Sequence, residues 1–95
     1  MVAAIGGELD MDATFRLEPE LERVAGAAGV RELVLDLRDV EFIDSAGVGL
    51  LLATHERLRA SEIGFRLANP SHAVRRILEL TGAGAELPVG GSARP

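Results

Sequence analysis

Ninety-five residues, 47% of them hydrophobic and 26% charged, suit one globular domain with a core of modest depth and exclude disorder along the whole chain. The net charge is −5, and all ten basic residues are Arg, scattered rather than clustered, which argues against nucleic acid as a direct partner. With no Cys in the chain, disulfides and thiolate chemistry are excluded.

Val2 to Gly6 is short and apolar and reads as a strand, with Gly6–Asp10 ("GGELD") as its end passing into a turn. Asp12 is placed to cap a helix in which Leu17, Leu21, Val24 and Ala28 recur at helical spacing. Pro19 either occupies the first position of a helix beginning near Glu18 or kinks one beginning at Ala13; Gly29 closes the element. Glu32–Leu37 ("ELVLDL") is a strand with Leu33, Leu35 and Leu37 on one face, and "RDVEF" leads out of it. From Ala46 to Ala60, residues Val48, Leu51, Leu52, His55 and Leu58 mark a helix face. Glu62–Ala68 alternates Ile63, Phe65 and Leu67 and predicts a third strand. In the segment that follows, Asn69 is the expected cap and Pro70 the first helical position. Val74, Ile77, Leu78 and Thr81 form its expected buried face, and Gly82 the stop. Leu87–Val89 is a candidate last strand.

The order β-α-β-α-β-α, with room for a final strand and with short connections, predicts an α/β domain whose mainly parallel sheet is packed against helices. The domain is expected over residues 1–90, with a flexible tail over 91–95. The first residues lack a basic leader, and Glu8, Asp10 and Asp12 follow at once. The longest uncharged run, Ser45 to Thr54, is half of what a bilayer span requires. A cytoplasmic location without membrane contact is therefore expected.

Candidate chemistry concentrates in "EFIDSAGVGLLL" (Glu41–Leu52), where Asp44 and Ser45 stand at the edge of the longest apolar run. A hydrolase triad is not supported. The nucleophile elbow needs Gly two residues before the Ser, and Ile43 stands there. His55 lies about two and a half helical turns from Ser45, roughly 15 Å of rise, and His72 belongs to another helix. "GVG" (Gly47–Gly49) lacks the rest of a dinucleotide or P-loop fingerprint and reads as close packing at a crowded crossing. Two isolated His residues make no metal site. No cofactor is expected, and the chain is not expected to be an enzyme.

Ser45 remains. Either Asp44 or Ser45 can accept a hydrogen bond from the free amides of the first helical turn, so a cap accounts for one polar residue and leaves the other over. The weak helix formers Ala46-Gly47-Val48-Gly49 follow, and each Gly costs about 1 kcal/mol relative to Ala. Such a sequence suits a helix start that another surface approaches closely, with a hydroxyl at its centre.

Three blocks of the sequence resemble the STAS domain family, specifically its anti-sigma factor antagonists. They are "GELD" (Gly7–Asp10), "LVLDLRDVEFIDSAGVGLLL" (Leu33–Leu52) and "NPSHAVRRILELTG" (Asn69–Gly82), in the family's order and spacing. The resemblance implies a binding module whose partner is both anti-sigma factor and serine protein kinase. It implies that this kinase phosphorylates the Ser after the Asp, here Ser45, that phosphorylation ends the binding, and that a separate serine phosphatase restores it. A second implied reading is a STAS subunit of a lipid-transport complex or stress-sensing assembly, with a structural Ser45. The partner-binding set is then Asp10, Asp44, Ser45, Ala46, Gly47, Val48 and Gly49. Asp10 joins it because a parallel sheet brings strand carboxyl ends to one side.

The chain departs from the family pattern at two points. Ala46 stands where many members carry a second hydroxyl, which leaves Ser45 the sole acceptor of the motif. Members also usually have a strand before the "GELD" strand, and only six residues precede Gly7. Either that first strand is absent or the start lies upstream, and a homodimer paired edge to edge is one remedy for the edge so exposed.

Overall fold

Parallel strands can be joined only by crossovers, and the chain supplies a helix for each. The computed structural model describes residues 1–90; the tail expected over 91–95 lies outside them. The elements are β1 (Val2–Leu9), α1 (Met11–Ala25), β2 (Glu32–Ile43), α2 (Ser45–Ala60), β3 (Gly64–Ala68) and α3 (His72–Thr81), then a short 3-10 turn at Ala83–Ala85. The sheet has the order β1-β2-β3, and both pairings are parallel. The two crossovers advance in the same direction, so right-handed connections put α1 and α2 on one face. Arg57 of α2 joins them by pairing with Glu18 and Glu22 of α1, at 3.9 and 2.5 Å. Between helices and sheet lie Ile5 and Leu9, the three leucines of β2, Phe65 and Leu67, packed on Leu21, Val48, Leu51 and Leu58.

β2 is longer than the expected Glu32–Leu37. Besides Val34, its buried residues are Leu33, Leu35 and Leu37, then Val40 and Ile43, which belong to one core cluster, so the spacing along that face changes from two to three. The pairing with β1 shifts register twice, between Ala4 and Gly6 and between Gly7 and Glu8, each time leaving an extra residue on β2. Each extra residue turns the next apolar side chain back to the same face. The strand therefore continues where simple alternation ends, and finishes level with β1 at the pair Leu9–Ile43.

Other boundaries also move. Asp10 rather than Asp12 caps α1, and Asp12 falls within its first turn. Pro19 lies inside a helix already under way from Met11, which ends at Ala25 with Gly26, not Gly29, as its cap; Ala28 is outside it and exposed. α2 buries Gly47, Leu50 and Thr54 beside Val48, Leu51 and Leu58, while Leu52 and His55 are only half-buried. Its inner face is thus rotated from the expected one. Ser71, not Asn69, caps α3, its Oγ accepting from the Val74 amide at 3.2 Å. Asn69 instead takes a left-handed turn conformation (φ 48°), which Asn tolerates better than most residues. Val74 and Leu78 of α3 are buried, Ile77 is partly so, and Thr81 is exposed. Gly82 ends α3 at φ 74°, the left-handed cap expected of it. The last strand is reduced to one parallel bridge between Val89 and Leu67. Among the described residues no strand covers the outer edge of β1.

Candidate functional site

Because β1 and β2 end level, their next residues, Asp10 and Asp44, leave the sheet side by side, and the Asp44 amide donates to the Leu9 carbonyl at 3.4 Å. Each Asp then caps the helix that follows. Asp10 Oδ1 accepts from the Ala13 amide at 3.0 Å. Asp44 Oδ1 accepts from the amides of Ala46 and Gly47, at 2.9 and 3.1 Å. The parallel order therefore brings Asp10 to the start of α2, as the sequence predicts.

Asp44 settles which polar residue is the cap. Ser45 is the first residue of α2; it is exposed, and its hydroxyl makes no hydrogen bond among the described residues. Most other hydroxyls are engaged: Thr54 is buried and donates to the Leu50 carbonyl at 2.8 Å, Thr14 and Thr81 donate to the carbonyls of Met11 and Ile77, and Ser71 caps α3. Ser61, at the opposite end of α2, is exposed and makes no side-chain hydrogen bond among the described residues.

The expected contact surface over Ala46–Gly49 divides in two. Gly47 is buried, and a Cβ there would overlap the Leu9 carbonyl oxygen and lie 2.8 Å from Ile43 Cγ1. Close packing thus explains Gly47, because the start of α2 rests on the end of β1. Val48 is also buried, so both support the surface from beneath. Gly49 is exposed, and a Cβ there would meet nothing within 4 Å, so close packing does not explain it. The outward part of the set is Ser45, the half-exposed Ala46 and Gly49, flanked by Asp44 and Asp10.

Charge around this strand end is mostly negative. A polar hollow beside it is lined by Glu8, Asp10, Asp12, Glu41 and Arg16. Neither His lies there. His55 is half-buried along α2 with its ring 5.9 Å from that of Phe65, and His72 is the exposed first residue of α3. Among the described residues no group of His, Asp and Glu could hold a metal ion. Sequence reasoning missed the exposed pair Phe42 and Leu80, which line one groove beyond Glu41. Leu80 carried a signal, since it falls outside the helical spacing of Val74, Ile77 and Leu78.

A family model described as the STAS domain matches residues 1–92. The anti-sigma-B factor antagonist of Staphylococcus aureus is 32% identical over 81 residues, 82% of this chain and 71% of that protein. Among solved structures, an anti-sigma factor antagonist from Mycobacterium paratuberculosis is 36% identical with a TM-score of 0.81, over 96% of this chain and 76% of that one. The anti-sigma factor antagonist SpoIIAA in its unphosphorylated form is 28% identical with a TM-score of 0.76, over 95% of this chain and 78% of that one. The phosphorylated form of SpoIIAA, a Bacillus cell fate determinant, is 27% identical with a TM-score of 0.69, over 95% and 81%.

Proposed function

Because this chain belongs to the STAS domain family, among its anti-sigma factor antagonists, we propose that it binds an anti-sigma factor that is also a serine kinase, and that phosphorylation of Ser45 ends the binding. The unphosphorylated chain sequesters the kinase and frees a sigma factor for transcription; a serine phosphatase resets the chain. One observation carries the reading of Ser45 as a free acceptor rather than a cap: Asp44 takes the cap bonds, and Ser45 is left exposed with an unengaged hydroxyl.

In the transfer, Ser45 Oγ forms a bond to the γ-phosphorus of ATP as the bond to the ADP oxygen breaks, and the hydroxyl proton passes to a base of the kinase. ATP and Mg²⁺ belong to that partner. The product adds about −1.5 to −2 charge. A helix start normally favours an anion by roughly 0.3–1 kcal/mol, but the Ala46 and Gly47 amides already serve Asp44. The phosphate therefore stands outward, beside a carboxylate, and the fold keeps its bonds. A docked partner must bury that charge unpaired, at a cost of several kcal/mol. The switch acts on binding rather than on folding. The alternative, a subunit of a lipid-transport or stress-sensing assembly, asks for a structural Ser45, and an unbonded hydroxyl does not support that.

The test is incubation with the anti-sigma kinases of the same genome and ATP, followed by phosphopeptide mapping. One phosphate on Ser45, none in Ser45→Ala, and weaker partner binding by the phosphorylated form are expected. Phosphate on Thr54 or Ser71 with Ser45 unmodified overturns the assignment, and equal affinity of both forms overturns the switch.

A further inference from the structure

The wall of the Ser45 site continues away from α2. Glu41 lines the acidic hollow at the strand end and also a second groove, of about 240 Å³, between the last residues of β2 and α3. Phe42, Ile43, Ala73, Ile77 and Leu80 make this second groove apolar. Two of its walls are open to solvent: Phe42 is 48% exposed and Leu80 73%. Leaving such side chains in water forgoes the gain of burying them, so their pairing on one groove marks an interaction surface.

The charges say what kind of partner fits. Around Ser45 the surface is acidic, with Glu8, Asp10, Asp12 and Asp44. Along α3 the sign reverses: His72, Arg75 and Arg76 line a neighbouring hollow with a single acid, Glu79. Arg76 also lines the apolar groove, and among the described residues it takes part in no ion pair. A surface divided into acidic and basic halves about an apolar centre admits one orientation of a partner with the opposite pattern.

Resting on the function proposed above, we infer that this groove is the second half of the docking surface for the anti-sigma factor. It takes an apolar side chain of that partner, anchored between Phe42 and Leu80, with a neighbouring carboxylate of the partner paired to Arg76. The groove supplies affinity and orientation, and Ser45 supplies the switch. Phosphorylation and groove contact are then separate contributions to one interface.

The experiment measures the affinity of the full chain for its anti-sigma kinase in Leu80→Ser, Arg76→Glu and Ser45→Asp, with Val2→Ser at the far end of the sheet as control. Leu80 and Arg76 are exposed, so both groove variants keep the melting temperature of the parent. Each should bind about tenfold more weakly or worse, and the Arg76→Glu loss should shrink as salt is raised. The loss should be the same in the Ser45→Asp background. Wild-type affinity in both groove variants, with Ser45→Asp still weakened, overturns the groove and leaves the switch standing. A loss confined to Leu80→Ser overturns the Arg76 pairing alone. Failure of the parent to bind any such kinase removes the functional reading and the groove with it. Self-association that disappears in Leu80→Ser assigns the groove to a second copy and overturns the inference.

Discussion

At the start of α2 one carboxylate accepts both amide hydrogen bonds, and the adjacent hydroxyl is left without any. The two residues should therefore respond oppositely to truncation. Asp44→Ala loses the cap and should cost about 1 kcal/mol of stability, whereas Ser45→Ala should change it by less than about 0.5 kcal/mol; urea unfolding of both distinguishes them. Equal losses would mean that Ser45 shares the cap. The glycines two residues apart give a second contrast. Gly47→Ala drives a methyl into the Leu9 carbonyl, which is backbone and cannot swing aside, and should destabilise by about 3 kcal/mol. Gly49→Ala adds a methyl to open space within a helix and should stabilise by up to about 1 kcal/mol. A gain in stability with a loss of partner binding would identify Gly49 as kept small for contact.

The elements show how two strand ends become one site. The extra residues on β2 let it reach the level of Leu9, so that Asp10 and Asp44 emerge together and cap parallel neighbours, α1 and α2. The Asp10 cap bond complicates a simple test of its role in binding, because Asp10→Ala should itself cost about 1 kcal/mol. Asn caps a helix as well as Asp does, so Asp10→Asn keeps the bond and removes only the charge. It is expected to melt with the parent and to bind the anti-sigma partner more weakly. Unchanged binding in Asp10→Asn would reduce Asp10 to a cap.

For the molecule as a whole, the outer edge of β1 is unpaired among the described residues, and such an edge is a template for a further strand. Val2, Ala4 and Glu8 on this strand are exposed. A homodimer joined along Val2–Leu9 is the expected outcome of sedimentation at high concentration, and Ala4→Lys, which places a charge on that edge, should return it to monomer. Sedimentation of the parent as a monomer throughout would remove the idea. Only the far half of this edge lies away from the Ser45 surface: Ala4 pairs at the level of Asp36, whereas Glu8 and Leu9 reach the level of Phe42 and Ile43, directly before Ser45. Ala4→Lys should therefore leave the partner affinity of the monomer unchanged.

The existence and order of the helices and strands were legible in the chain, because helical spacing and strand alternation are local patterns. So was the concentration of unusual residues at Asp44–Gly49. The extent of β2 was not, since Val40 and Ile43 fall out of alternation and only pairing with β1 shows that the extra residues restore the face. Nor were the caps. Asp10 and Asp12, or Asn69 and Ser71, are equivalent as sequence, and backbone geometry at each strand end decides between them. The choice between Asp44 and Ser45 was open for the same reason. The two glycines of "GVG" are identical on paper, yet one faces the end of β1 and the other open space. Local composition determined that this protein is an α/β domain with a hydroxyl at a helix start. Whether Ser45 is free, and which surfaces lie beside it, depended on the packing of residues distant in the chain, such as Leu9 against Gly47 and the groove that Phe42 and Leu80 both line, and no local pattern encodes those.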